Sequence, residues 1–288
     1  MKEQKIGIGI PTIALKKMGK IEGDQKVSEF VEKFLSGMED IFDDEQKKEM
    51  EEFRPYLANL MFLPCVITKM IDQNITFADA VKASEEEINK TILKITELYD
   101  LFMHDAQFME QFNKMCSGIF EAMASAKKEH NSKEKEYRVE IVFTLETIMK
   151  IASTGIFTVI NKLAESDELK MALENDFEKP VKAAVCNILK EKQEEYHIDE
   201  EDYLASLDEV DSLIENLKAT LTIGNVLTVV FKKAINEDMT FTEAAKSFND
   251  EELYNDSIER FKLYNDFKQV KAVIEKMFNV GFEFLEEM

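Results

Sequence analysis

Two stretches of the chain carry nearly the same signal for the start of a helix, and no other sequence feature restricts the fold as strongly. Residues 75–84 read ITFADAVKAS, and residues 239–248 read MTFTEAAKSF. A threonine that can cap a helix is followed three residues later by an acid, which can bond back to the cap. The chain is therefore predicted to start two equivalent helices 164 residues apart, at Thr76 with Asp79 and at Thr240 with Glu243.

The similarity extends beyond these two caps. A second capping box is predicted in each copy, at Ser84 with Glu87 and at Asn249 with Glu252. Upstream and downstream, apolar residues recur at matching positions on one helical face. We therefore predict an internal duplication and divide the chain into an N-terminal basic and apolar segment (1–24), helical repeat 1 (25–126), connecting helices (127–178) and helical repeat 2 (179–288).

The connecting helices could be a degenerate third repeat. VINKLAES at 159–166 resembles VITKMIDQ at 66–73, and Asn175 with Glu178 could form another capping box. Too few positions match for the sequence to decide this point. Pro55 and Pro64 are read as lying near helix starts, and Pro180 as opening the first helix of the second copy, because proline costs little in a first turn.

Few residues that break helices occur in this chain, which has nine glycines and four prolines in 288 residues. The predicted fold class is all-α, as a multi-helix array or as a two-lobed helical bundle. KIGIGI at 5–10 alternates as a strand does, but we find no partner strand for it. The predicted helices are 25–42, 44–53, 56–72, 77–83, 85–103, 106–127, 135–152, 156–165, 168–175, 180–196, 200–219, 224–236, 241–247, 250–266 and 268–287, some of which should merge.

Charge and cysteine content limit the function. A net charge of −22, with only three arginines, argues against nucleic acid and anionic membranes as partners. No run of about 18 apolar residues free of charge occurs, so no transmembrane segment is expected. The three cysteines are widely spaced in apolar helical runs, which predicts free thiols and a cytoplasmic location.

The N-terminus differs in charge from the rest of the chain. Residues 1–20 contain five lysines and one glutamate, a net +4, whereas the remainder carries −26. Two interpretations stay open. The segment could fold back onto the acidic body, or it could insert into a membrane interface.

Searches for sites of chemistry give negative results. Neither repeat supplies the oxygen ligands and the glycine that a calcium loop needs. Glu194 with His197 is the only Glu-x-x-His pair, whereas a di-iron bundle needs two. The dipeptide at 104–105 lacks the upstream histidine of helical phosphohydrolases, and the acidic runs lack the spacing of a magnesium site. We therefore predict no cofactor, no metal and no catalytic residue.

Apolar side chains remain as candidates for recognition. The chain has 21 phenylalanines and 15 methionines but no tryptophan, a composition typical of adaptable apolar surfaces. The leading hypothesis is a non-enzymatic protein-interaction module that presents an acidic helical surface or an apolar groove to a protein partner. The alternative is a carrier of a hydrophobic, lipid-like molecule, and an enzyme of unrecognised type ranks third. The candidate apolar binding surface is Phe108, Phe112, Met115, Phe120, Phe278 and Phe282.

Overall fold

A computed structural model describes residues 3–19, 28–29, 31–32, 57–102, 136–196 and 200–263. Most of these residues are helical, and one small two-stranded sheet accompanies the helices. The first elements in chain order are β1 (Gln4–Pro11), α1 (Thr12–Lys17), α2 (Leu57–Gln73), α3 (Phe77–Phe102), β2 (Glu136–Phe143) and α4 (Leu145–Ala152). The remaining elements are α5 (Ile156–Glu165), α6 (Asp167–Ala172), a π-helical turn (Leu173–Glu178), α7 (Lys179–Tyr196), α8 (Glu200–Glu237), α9 (Phe241–Ser247) and α10 (Asp250–Leu263).

The chain divides into two compact units. The first comprises Met1–Ile156 with Leu227–Phe248, and the second comprises Phe157–Val226 with Asn249–Met288. Helix α8 contributes residues to both units. The duplication predicted from the sequence, with its boundaries at 25–126 and 179–288, stays a prediction.

The sheet corrects the expectation that KIGIGI has no partner. β1 pairs antiparallel with β2, with Ile6 opposite Ile141 and Ile8 opposite Val139. The sequence reading had placed 136–143 in a helix over 135–152, but α4 begins only at Leu145. Aromatic and β-branched residues alternate along EYRVEIVF, and this period of two favours a strand over a helix.

The N-terminal segment is part of the core of the first unit. Ile8, Ile10 and Leu15 are fully buried, and α1 follows β1 directly. Asn59 on α2 donates a hydrogen bond to the Leu15 carbonyl (3.3 Å), and the Lys17 ammonium donates to the Ile235 carbonyl on α8. Apolar burial and strand pairing therefore dock the segment onto the body, whereas the sequence had suggested attraction between charges.

Several predicted helix boundaries are wrong for one physical reason each. α3 is continuous from Phe77 to Phe102, so Ser84 lies inside a helix and cannot cap one. Likewise α8 joins the predicted helices 200–219 and 224–236. Pro64 lies in the interior of α2 rather than near its start, and its carbonyl accepts a hydrogen bond from the Thr68 hydroxyl (2.9 Å).

The capping box predicted at Asn175 and Glu178 does not form, because both residues lie in the π-helical turn. Asn175 instead accepts a hydrogen bond from the Lys179 ammonium (3.1 Å). Pro180 follows this turn within a continuous helical run instead of opening a new helix. A proline lacks the N–H that a helix needs and clashes with the carbonyl four residues earlier, so the wider turn accommodates it.

Candidate functional site

The apolar surface predicted from the sequence lies outside the described residues. Helix α3 ends its described part at Phe102, and α10 ends at Leu263. The structure therefore neither brings together nor separates the predicted positions, which are Phe108, Phe112, Met115, Phe120, Phe278 and Phe282.

The histidines that were weighed as metal ligands also fall outside the described part, at 104, 130 and 197. Within the part of the chain that the structure describes, no group of three or more His, Cys, Asp or Glu side chains could hold a metal ion. No metal-dependent chemistry is therefore built from these residues.

Helix α4 carries the most exposed apolar side chains of the first unit. Leu145 is 55% exposed and Met149 63% exposed, one helical turn apart on the same face. Val142, the last but one residue of β2, is 42% exposed. We refer to these three residues as the α4 apolar strip. The opposite side of α4 packs into the core through Thr147 and Ile151, so the strip belongs to a helix that is anchored from behind.

Hydrogen bonds fix the start of α4. The Thr144 hydroxyl caps the helix by accepting the Thr147 N–H (3.2 Å). The buried Thr147 hydroxyl donates to the Asp72 carboxylate at the end of α2 (2.9 Å). Since Asp72 belongs to a helix of the same unit, the α4 apolar strip is held by tertiary contacts and not by local propensity alone.

Charged groups border the strip. The Lys150 ammonium lies 3.0 Å from a Glu146 carboxylate oxygen, 3.1 Å from the Asp72 carbonyl and 3.4 Å from the Asp72 carboxylate. The hydrogen bond to Glu146, followed by the charge of Asp72, raises the pKa of Lys150 against a small opposing effect of burial. Glu140 on β2 is exposed, and so is Glu146, whose side chain is 79% exposed. The border therefore offers two exposed carboxylates and one lysine that is already paired.

The edges of the two-stranded sheet differ. The Gly9 N–H on β1 donates to the buried Thr228 hydroxyl of α8 (2.8 Å), so it points away from β2. In an antiparallel ladder, backbone groups point alternately toward and away from the partner strand. Gly9 is opposite Arg138. The backbone groups of Arg138, Glu140 and Val142 must therefore point to the outer edge of β2. Among the described residues, no hydrogen bond reaches that edge at Glu140 or Val142.

The two segments that share a sequence also share a local geometry. α2 ends with Asn74 at φ 50°, and α8 ends with Asp238 at φ 55°. The N–H of Ile75 then donates to the Met70 carbonyl (3.2 Å), and the N–H of Met239 to the Ala234 carbonyl (2.9 Å). This 6→1 bond is that of a Schellman motif, in which a left-handed residue ends the helix. All of these positions are 164 residues apart.

The predicted caps form at the next residues. The Asp79 N–H donates to the Thr76 hydroxyl (3.2 Å), and Thr240 makes a full capping box with Glu243. Asn249 and Glu252 form the second box in the later copy. Thr76 and Thr240 themselves pair in an isolated antiparallel bridge. Equivalent residues of the two turns thus face each other within the first unit.

A lysine one turn before each Schellman motif reaches the far end of the helix that follows. Lys69 donates to the Ala83 carbonyl (2.8 Å) and to Glu87 (3.2 Å). Its counterpart Lys233 lies 4.2 Å from the ring centroid of Phe248, where α9 ends in an extended residue. The two copies therefore diverge at this point, since α3 continues through the position at which α9 stops.

Cys65 is a half-buried free thiol on α2. Burial, followed by the Glu87 carboxylate, raises its pKa, while Lys69 and the buried Ser84 hydroxyl act in the opposite direction. A thiol with a raised pKa is a poor nucleophile at neutral pH, so this environment does not favour catalysis.

One described segment of α8, Leu207–Glu237, is long and apolar enough to cross a membrane by length and composition. Half of its apolar window is buried inside the protein, and a core helix of a globular domain meets the same criteria. The segment also includes the buried polar residues Thr222, Asn225 and Thr228.

Comparison with protein-family models, with curated proteins and with solved structures found no match to this chain. The site is therefore defined by its own geometry alone. Sequence reasoning missed the α4 apolar strip, because Leu145 and Met149 were assigned to a longer helix with an ordinary buried face. The alternation in EYRVEIVF was the signal that could have separated strand from helix.

Proposed function

We propose that this chain is a non-enzymatic protein-interaction module that binds a partner through the α4 apolar strip. The exposure of Leu145 and Met149 on an anchored helix carries this proposal. Exposed apolar side chains that lie together, rimmed by charge, are typical of interaction surfaces. The free thiols Cys65 and Cys186 support a cytoplasmic location.

The partner we propose is a basic amphipathic helix. Two exposed carboxylates border the strip, and the whole chain carries −22. Such a helix can place leucines against the strip and lysines against Glu140 and Glu146, as helices do when they dock into apolar grooves. Electrostatic complementarity would add mainly to the association rate and would weaken as salt is raised.

A designed peptide tests the proposal directly. The probe is a fluorescent 18-residue helix with leucines on one face and lysines on the other, and binding is followed by fluorescence anisotropy. We expect Leu145→Glu with Met149→Glu to weaken binding about tenfold or more, which is about 1.4 kcal/mol. The matched control is Met171→Glu with Leu204→Glu, which alters two other exposed apolar residues with the same chemistry.

The control separates specific from general attraction. If both double variants lose binding equally, the peptide reports only the net charge, and the assignment to the strip is wrong. Circular dichroism of each variant checks that the helices remain.

We also propose that the chain arose by internal duplication. The supporting features are the equal spacing of the two Schellman motifs and caps, and the bridge between Thr76 and Thr240. Corresponding core positions are buried alike: Phe77 and Phe241, and Ala80 and Ala244. Equivalent residues that face each other are the mark of a two-fold interface, here within one chain.

Carriage of a hydrophobic molecule is the second candidate function. Its support is the composition, 21 phenylalanines and 15 methionines, since such side chains line adaptable apolar cavities. Mass spectrometry of the native and denatured protein tests it. A few hundred daltons lost on denaturation would favour the carrier, whereas a bare native mass would argue against a tightly bound ligand.

A further inference from the structure

We propose that the outer edge of β2 pairs with β2 of a second copy of this chain, which would join two two-stranded sheets into one of four strands. The inference starts from the two edges of the sheet. β1 is covered on its outer side, where Gly9 donates to Thr228 of α8 (2.8 Å). β2 has no such cover at Glu140 or Val142 among the described residues.

An uncovered edge is a template for another strand. Its backbone N–H and C=O groups are arranged to pair with an extended chain, and proteins commonly protect such edges. Here the eight residues of β2 form a two-stranded sheet with β1, although sheets gain independent stability from three or more strands. A second copy would raise the strand count and would satisfy the outward groups at the same time.

Charge selects a second copy over an unrelated strand. Two copies of β2 can pair antiparallel about a two-fold axis in several registers. When the axis passes Val139, Arg138 of each copy lies opposite Glu140 of the other, which gives two opposite-charge pairs. When the axis passes Glu140 or Arg138, that residue lies opposite its own copy and like charges meet. The sequence of β2 is therefore complementary to itself in one register.

The expected dimer is weak and reversible. One pair of strand edges buries less than the roughly 1,200 Å² typical of a stable interface. Each copy also carries −22, which opposes association. We expect a dissociation constant on the order of 100 μM at physiological salt, where the Debye length is about 8 Å.

Proline at Glu140 is the sharpest variant. The N–H of Glu140 points away from β1, so Glu140→Pro leaves the ladder between β1 and β2 intact. The proline ring then occupies the edge, so a second strand cannot pair there. Sedimentation equilibrium over a concentration series should show dimer formation for the natural chain and only monomer for Glu140→Pro. Glu140→Thr, which keeps the N–H and suits a strand, is the matched control and should still dimerise.

Charge exchange tests the register. An opposite-charge pair across strands changes association about 1.5- to 5-fold, and the register contains two such pairs, so the combined change is about 2- to 30-fold. Arg138→Glu and Glu140→Arg should each weaken the dimer by that factor or more, because like charges then meet. The double variant restores both pairs in reverse and should recover the natural affinity.

Two results would overturn the proposal. A natural chain that stays monomeric to millimolar concentration would remove it, and so would a dimer that Glu140→Pro leaves unchanged. Failure of charge recovery in the double variant would reject the register centred on Val139. None of these results bears on the binding of the amphipathic peptide, which is measured on the dilute monomer and depends on Leu145 and Met149.

Discussion

The start of α9 depends on a reciprocal contact between two side chains and two backbone groups. The Thr240 hydroxyl accepts the Glu243 N–H (3.2 Å), and a Glu243 carboxylate oxygen accepts the Thr240 N–H (3.0 Å). The backbone bond from Thr240, followed by the bond from its hydroxyl, lowers the pKa of Glu243 below the ordinary 4.5. Capping therefore makes folding stability depend on pH at this residue.

The sign of that dependence follows from the lowered pKa. A carboxyl with a lower pKa in the folded state adds stability above its unfolded pKa, and this stability is lost as pH falls through the folded pKa. We expect Glu243→Gln to destabilise the protein near pH 7 and to have much less effect at about pH 3. Urea unfolding at both pH values measures this, with Glu165→Gln, an exposed glutamate on α5, as the control. An effect of equal size at both pH values would contradict the assignment.

The Cys65 thiol offers a second residue-scale prediction. Because burial raises its pKa, the thiolate fraction at neutral pH is below that of a free cysteine. With Cys116→Ala and Cys186→Ala as background, iodoacetamide should alkylate Cys65 more slowly than it alkylates a free thiol. The rate should continue to rise with pH above 9.0, the ordinary value. A rate that levels off near neutrality would show instead an activated thiol.

At the scale of elements, β1 shows what an N-terminal basic and apolar segment does in this fold. Ile8 is fully buried, whereas Lys5 is exposed on the same strand. We expect Ile8→Ala to cost about 2–5 kcal/mol of unfolding free energy and Lys5→Ala less than about 0.5 kcal/mol. Denaturant unfolding measures both.

The same strand decides between the two interpretations of the N-terminus. A segment whose apolar residues are buried has none left for a lipid interface, so the folded protein should not bind vesicles of anionic phospholipid. Flotation of the natural chain with such vesicles, and loss of that flotation in Lys16→Glu, would support the membrane interpretation instead. Lys16 is the fitting position, because it is exposed on α1.

Helix existence could be predicted from this sequence more reliably than helix boundaries. The periodicity at 156–165 and 241–247 gave α5 and α9 with the observed ends. Capping residues misled where the chain continued as a helix, as at Ser84, because a serine followed by an acid three residues on does not by itself stop the preceding helix. Tertiary packing decides such positions, and one sequence does not contain that information in readable form.

Strand pairing was the larger omission. β1 and β2 are 125 residues apart between Pro11 and Glu136, and no local pattern connects them. Each strand alone is ambiguous, since a short apolar run fits a helix or a strand. The α4 apolar strip could not be predicted for the same reason: its exposure depends on where β2 ends and on which face of α4 meets α2.

At the scale of the whole molecule, the two matching turns of the first unit form one structural feature, although 164 residues of chain separate them. Each turn places a residue other than glycine at positive φ, Asn74 at 50° and Asp238 at 55°. Their caps meet in the bridge between Thr76 and Thr240. If the turns are one cooperative element, weakening one should loosen the other.

Hydrogen exchange can test this coupling. The N–H groups of Ile75 and Met239 are bonded across their own turns, to Met70 (3.2 Å) and Ala234 (2.9 Å). We expect Asn74→Ala and Asp238→Ala each to cost about 1 kcal/mol, because alanine tolerates the left-handed conformation less well. Each variant should lower the protection of both amides by a similar factor.

Glycine provides the opposite change and a matched control. Asn74→Gly and Asp238→Gly keep the left-handed conformation accessible, so both amides should stay as protected as in the natural chain, within about 0.5 kcal/mol. Gly155, at φ 87° with no neighbouring atom within 4 Å, tests the general cost of a side chain at positive φ: Gly155→Ala should destabilise the protein without acting on the two turns selectively. If Asn74→Ala lowers protection only at Ile75, and Asp238→Ala only at Met239, the turns open independently and the bridge between Thr76 and Thr240 does not couple them.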